Sequence, residues 1–244
     1  MENWQDALIV QSRGALIGEK HTERDWGLMW LDITITAPEA QTNIVPVPGS
    51  DESLDFTEAL TGDVHFKRRR LSLVFHRAER SLEEWHVLTS QILNYCQGQK
   101  LRITLDSDPL YFYIGRISCT PVKTASFRST YTITADIEPW KYEMADSLAG
   151  DWLWDPFRFA TDVARAYGSL TVSGTLSFTI TGLRKNTILR VNASAAMSVT
   201  HNGVTHPLVK GDNILPDIVI REGANLLVFT GNGTISISYR GGTF

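Results

Sequence analysis

The sequence predicts a mainly β protein: a β-rich N-terminal unit with one α-helix, followed by an antiparallel β-sandwich. Three observations carry that prediction. Short β-prone runs, most of them alternating in period two, recur through the first half. One segment, residues 81–97, has helix signals instead. Beyond about residue 168 the chain holds only strand-like runs and tight-turn signals. The 244 residues are 43% hydrophobic and 20% charged, the balance of a globular chain, and they suffice for one large core or two smaller ones.

In the first half the strand-like runs are 28–35, 71–75, 101–105, 111–117 and 131–137. The helix between the second and third has a start, a stripe and a stop. Ser81-Leu82-Glu83-Glu84 is a capping box, in which the serine takes an orphan amide and Glu84 reaches back to the cap. Leu82, Trp85, Leu88, Ile92 and Cys96 follow at three- and four-residue spacing, an apolar stripe that packs on a sheet. Gly98 is placed to end the helix in a left-handed cap.

After Pro139 the texture changes, and a boundary near residue 148 divides a unit 1–148 from a unit 149–244. Residues 152–159 are too aromatic for a free linker. Trp152, Trp154 and Phe157 would expose a large apolar area, so this segment is expected to dock on a domain or a partner. Behind it the runs are 170–172, 176–180, 187–191, 197–200, 213–215, 218–220, 225–229 and 234–239. Asn202-Gly203 and Gly231-Asn232-Gly233 read as hairpin turns between them, because both residue types tolerate positive φ. No internal repeat is visible.

The net charge is −4, which argues against a whole-molecule field for nucleic acid. That total is uneven: residues 1–150 carry 15 basic and 21 acidic side chains, and 151–244 carry 8 and 6. No apolar run approaches the roughly 20 residues of a membrane span, and the N-terminus lacks signal-peptide features, so folding in a cytosol-like compartment without a membrane partner is expected. Cys96 and Cys119 show no CxxC spacing and read as small buried hydrophobes.

Signatures of catalysis are missing from the sequence. There is no GxSxG elbow, HExxH pair, Walker loop or GxGxxG after a strand, so no catalytic residue, cofactor site or metal site is assigned. His201 and His206 lack a third nearby ligand, and Asp106-Ser107-Asp108-Pro109 reads as a turn rather than a calcium loop. The sharpest charge feature is Lys67-Arg68-Arg69-Arg70. In an extended run Lys67 and Arg69 share one face and Arg68 and Arg70 the other, which splits the patch and favours ion pairs with acidic stretches such as 51–58 over nucleic acid.

Several segments, in order, resemble the distal tail proteins of siphophages. They are Val45-Pro46-Val47-Pro48-Gly49 with Leu54-Asp55-Phe56-Thr57; Phe66 followed by Arg68-Arg69 and Leu71; Trp85; Gly98-Gln99-Lys100; Asp106-Ser107-Asp108-Pro109 with Tyr111 to Arg116; Glu138-Pro139-Trp140-Lys141-Tyr142; and Tyr239-Arg240-Gly241-Gly242. The resemblance implies a structural virion protein at the phage tail tip, made in the bacterial host cytoplasm. Its N-terminal belt domain would assemble into a six-fold ring, a homo-hexamer, and its C-terminal domain would be a galectin-like sandwich facing outward. The implied partners are the major tail tube protein, a tail-associated tip protein, and receptor-binding or baseplate proteins.

By position, the resemblance places Pro48, Gly49, Leu54 and Asp55 in the loop that shapes the belt domain. It gives Arg69 a charge-assisted bond to a carboxylate, and it adds Glu138 to the assembly residues. Arg68 stands where the family commonly has asparagine, so another bond must replace that amide. The alternative is a carbohydrate-binding module for host-surface glycans. Against it, residues 160–244 contain no tryptophan to stack on a sugar, and His201-Asn202-Gly203 does not resemble the galectin motif.

Overall fold

The computed structural model describes residues 13–144 and 168–244. These form two compact units, one from residues 13–108 and 113–139, the other from 109–112, 140–144 and 168–244. The boundary expected at 148 and the aromatic segment 152–159 lie outside the described residues.

The first unit contains β1 (Ala15–Ile17), β2 (Lys20–His21), β3 (Met29–Ile35), β4 (Ile44–Pro46), β5 (Ser53–Asp55), β6 (Arg69–Ala78), α1 (Leu82–Cys96), β7 (Lys100–Leu105), most of β8 (Tyr111–Ala125), and β9 (Arg128–Ile137). Seven strands make an antiparallel sheet in the order β2-β1-β7-β8-β9-β6-β3. Period-two alternation is strict along the central strands. Leu71, Leu73 and Phe75 of β6, Tyr131, Ile133, Ala135 and Ile137 of β9, and Ile117 and Cys119 of β8 are all buried. They share one core with Leu88, Ile92 and Cys96 of α1.

The helix has the ends its sequence predicts, with two differences. Ser81 Oγ accepts from Glu84 N at 3.1 Å, and Gly98 follows the helix at φ +73°. Glu84, however, reaches past the cap: its Oε2 accepts from Arg80 N and its Oε1 from Arg77 Nη2, both at 2.9 Å. Those bonds, the Arg80 amide first, hold its carboxyl below the usual range. Leu82 is exposed and stands outside the core that Trp85, Leu88, Ile92 and Cys96 join.

The second unit contains β10 (Lys141–Glu143), β11 (Leu170–Gly182), β12 (Thr187–Ala193), β13 (Met197–His201), β14 (Val204–Leu208), β15 (Gly211–Ile220), β16 (Gly223–Ser238) and β17 (Gly242–Thr243). Its strand order is β14-β13-β16-β12-β15, with β11 along β16 from Leu170↔Ile235 to Gly182↔Gly223. Asn202 and Gly203, at φ 49° and 81°, form the predicted turn between β13 and β14. Several runs that read as separate strands are continuous. β15 absorbs Pro216 through a register shift opposite Ile188 and Leu189, and β11 runs through Gly174, whose amide donates to Asn232 Oδ1.

Gly231-Asn232-Gly233 is not a hairpin turn but the interior of β16. Before it β16 pairs with β13, and after it with β12. The glycines allow a close approach at this change of neighbour. A Cβ on Gly231 would sit 2.5 Å from Met197 Cβ, and one on Gly233 2.6 Å from Ser194 Oγ, which itself accepts from Thr234 N.

A repeat hidden from the sequence reading opens β15 and β16. In Val209-Lys210-Gly211-Asp212-Asn213, the Asn213 amide faces Val209 O, Gly211 O and Val191 O, and its Oδ1 accepts from Val209 N. In Arg221-Glu222-Gly223-Ala224-Asn225, Asn225 faces Arg221 O, Gly223 O and Ile180 O and accepts from Arg221 N. Both asparagines are buried.

Three separated stretches meet in a small clasp of the same unit. Tyr142 pairs with Phe112 on one side and Gly242 on the other, and Glu143, itself buried, accepts from Gly241 N at 2.9 Å. Phe112 stacks on Tyr142, Trp140 on Phe244, and Lys141 lies 4.4 Å from the Tyr111 ring centre.

Asn225→Ala and Asn213→Ala should each cost about 2 kcal/mol, since each leaves buried carbonyls without donors. Gly233→Ala should cost about as much through overpacking. Chemical denaturation midpoints check all three, with a surface alanine substitution on β11 as the reference.

Candidate assembly interface

Between β3 and β6 the chain leaves the sheet as an arm. Its root is closed by the Ala40↔Phe66 bridge and by Gln41 N donating to His65 O at 2.8 Å. Ile44↔Asp55, Val45↔Leu54 and Pro46↔Ser53 pair the two strands β4 and β5. Pro48 and Gly49 lie at the exposed tip, where Gly49 adopts φ +78° and Ser50 N donates to Val47 O. The return is held by Asp55, whose Oδ1 accepts from Thr57 N at 2.9 Å, while Thr57 Oγ1 accepts from Asn43 N at 3.1 Å. The Thr57 hydroxyl, and then its amide, hold the Asp55 carboxyl below its usual range.

The arm is apolar where a free hairpin should be polar. Ile44 is 56% exposed, Leu54 53%, Phe56 43% and Leu60 96%. The register puts Val45 with Leu54 on one face of the hairpin and Ile44 with Asp55 on the other, so apolar area is exposed on both faces, and an isolated two-stranded hairpin is marginal in water. The neighbouring β3 is an edge of the seven-stranded sheet, with Met29 and Leu31 exposed.

The basic strand splits as its alternation predicts, but the arginines exchange partners. Arg68 Nε donates to Asp136 Oδ2 and its Nη2 to Asp136 O, both at 2.5 Å. Arg69, expected to pair with a carboxylate, has none among the described residues. Its guanidinium carbon lies 5.6 Å from the centre of the Tyr113 ring, and its buried Nε and Nη2 have no acceptor. The register explains this. Arg69 points with Leu71 and Leu73 toward the buried face, whereas Asp136 lies on the open one. Burial lowers the Arg69 pKa below its ordinary value.

On the open face, Arg70, Asp136 and Arg116 stand side by side across β6, β9 and β8, and Lys100 of β7 pairs next to Arg116. Arg70, Arg116, Ser118, Thr134 and Asp136 line a shallow groove of about 250 Å³. Glu138 accepts from Lys100 Nζ at 2.8 Å. Of the residues expected from the sequence, Arg68 and Glu138 thus hold ion pairs of this sheet, while Pro48, Gly49, Leu54 and Asp55 build the arm. Trp152, Trp154 and Phe157 lie outside the described residues. Sequence reasoning missed Arg70, Arg116 and Asp136 as a row, which only cross-strand register reveals, and Ile44 and Leu60, whose exposure leaves no local trace.

One buried histidine has a carboxylate partner. His21 Nε2 is 3.1 Å from both Asp106 oxygens, and its Nδ1 accepts from the amides of Glu23 and Arg24. Its Nδ1 therefore holds the turn after β2, while its Nε2 faces Asp106 just after β7. Among the described residues no three His, Cys, Asp or Glu side chains are grouped to hold a metal, and no helix is long and apolar enough to cross a membrane.

A helix-backed sheet with a projecting apolar arm, in one chain with an all-β unit, defines a mainly β scaffold whose distinctive surfaces are edges and loops. The same fold is found in the crystal structure of the SPP1 Dit (gp 19.1) protein, described as a paradigm of the hub adsorption apparatus in phages that infect Gram-positive bacteria. The two superpose with a TM-score of 0.59 at 10% sequence identity, over 93% of this chain and 98% of that one. No protein-family model matches the chain, and no curated protein matches it by sequence.

Two predictions concern these residues. Because the folded pKa of Asp55 is depressed, its bonds stabilise the arm above the ordinary carboxylate pKa of 3.8 and are lost as the pH falls through the folded value. Amide exchange at Thr57, corrected for its intrinsic pH dependence, should rise through that window in wild type and be raised already at neutral pH in Asp55→Ala. Arg69→Met should leave the melting temperature unchanged or higher, because no carboxylate among the described residues offsets the desolvation cost of its buried guanidinium.

Proposed function

We propose that this chain is a non-enzymatic structural protein of a phage virion, a ring-forming hub at the distal end of the tail tube. The likeness to the SPP1 hub protein carries this reading, because it extends over 93% of the chain and so takes in both units rather than one common module. The arm supports it: a projecting hairpin with exposed Ile44, Leu54, Phe56 and Leu60 is a surface that needs a second protein. In this reading the first unit is the belt of a homo-hexamer, and a galectin-like second unit faces outward. The ring joins the major tail tube protein to a tail-associated tip protein and to receptor-binding or baseplate proteins. The chain is made in the host cytoplasm and carried at the tail tip.

Electron microscopy and light scattering of the purified full chain test the proposal. The expected result is a ring of six copies that binds tail tube protein. A monomer at every concentration and salt, with no binding to tube or tip proteins, would overturn it.

A further inference from the structure

The groove on the open face of the first unit has a built-in charge pattern. Asp136 is already satisfied by Arg68 Nε at 2.5 Å, which leaves Arg70 and Arg116 flanking a neutralised centre. Among the described residues neither of these two arginines is in an ion pair; Arg116 only donates to Gly98 O at 2.6 Å. Two strand spacings, roughly 10 Å, separate their backbones with Asp136 between, and Thr134 and Ser118 line the groove in the next row on the same face. Such a row accepts carboxylates.

The same chain carries the complementary surface. Asp51, Glu52 and Glu58 are exposed on the arm, and none is in an ion pair among the described residues. From its root at Ala40 the chain runs nine residues to the tip, a contour of up to about 30 Å.

We infer that the acidic tip of one copy's arm, through Asp51 and Glu52, docks in the Arg70–Arg116 groove of the next copy. The inference rests on the ring reading and specifies its contact. Arm and groove are different patches, so the contact can run head-to-tail from copy to copy and closes into a ring where the rotation allows it. The exposed apolar side chains of the arm supply area, and the paired charges set register and partner choice.

Charge reversal on the full chain, read by mass photometry at about 0.15 M and about 1 M salt, tests this contact. Arg70→Glu with Arg116→Glu, and separately Asp51→Lys with Glu52→Lys, should each weaken assembly at least tenfold at the lower salt without shifting the melting temperature. Arg70→Glu alone serves where the Arg116 change disturbs folding. Mixed one to one, the two reversed proteins should assemble again, because each arm then faces an opposite charge on the other variant. A wild-type ring that survives both reversals, or reversed proteins that do not recover on mixing, would overturn the contact alone. A wild-type chain that stays monomeric would overturn the ring reading, and this contact with it.

Discussion

The alternation of side chains along β6, β9 and β8 is the constraint on which the first unit depends. With one helix and one sheet, only one face can be covered, so every second residue must be apolar and its neighbours must live in water. Leu71, Leu73, Tyr131, Ile133 and Ile117 meet α1, and the residues between them form the open face. That same rule decides the fate of the basic run. It buries Arg69 beside Tyr113 and leaves Arg68 and Arg70 on the open face, where Asp136 accepts from Arg68. A one-residue slip in register would exchange the two sets and lose the core and the arginine row together.

The second unit meets a different constraint. Among its described residues no helix covers the strands, and β16 changes neighbours partway along its length. Gly231 and Gly233 make room for that change, while Asn213 and Asn225 satisfy the carbonyls of the two tight loops that feed β15 and β16. Backbone groups inside such loops have few other partners. A buried side-chain amide can serve several of them at once, which accounts for the same device appearing twice.

How much of this was legible in the sequence follows from the range of each interaction. The helix was legible because its cap, stripe and stop are local, and the central strands because period two is local. The same holds for the Asn202-Gly203 turn. Gly231-Asn232-Gly233 has the same composition but opposite meaning: a glycine serving a turn and a glycine serving close approach to Met197 look alike until the neighbour is known. Strand continuity through Gly174 and Pro216 was hidden for the same reason. At the candidate interface, the arm residues Pro48, Gly49, Leu54 and Asp55 were reached through resemblance, and Arg69 was expected to have a carboxylate partner that Arg68 has instead. Nothing short of register distinguishes the two arginines.

The clasp has a consequence for modular exchange. Residues 109–112 belong to the second unit although they lie far upstream of its other strands, and Tyr142 needs Phe112 on one side and Gly242 on the other. The second unit is therefore not a contiguous cassette. Recombination that replaced everything after Pro139 with a foreign module would leave Tyr111 and Phe112 behind without β10, and would deliver a newcomer lacking its own third strand. Successful grafts onto this chain must carry a four-residue insert along with the C-terminal block, or else evolve one that matches.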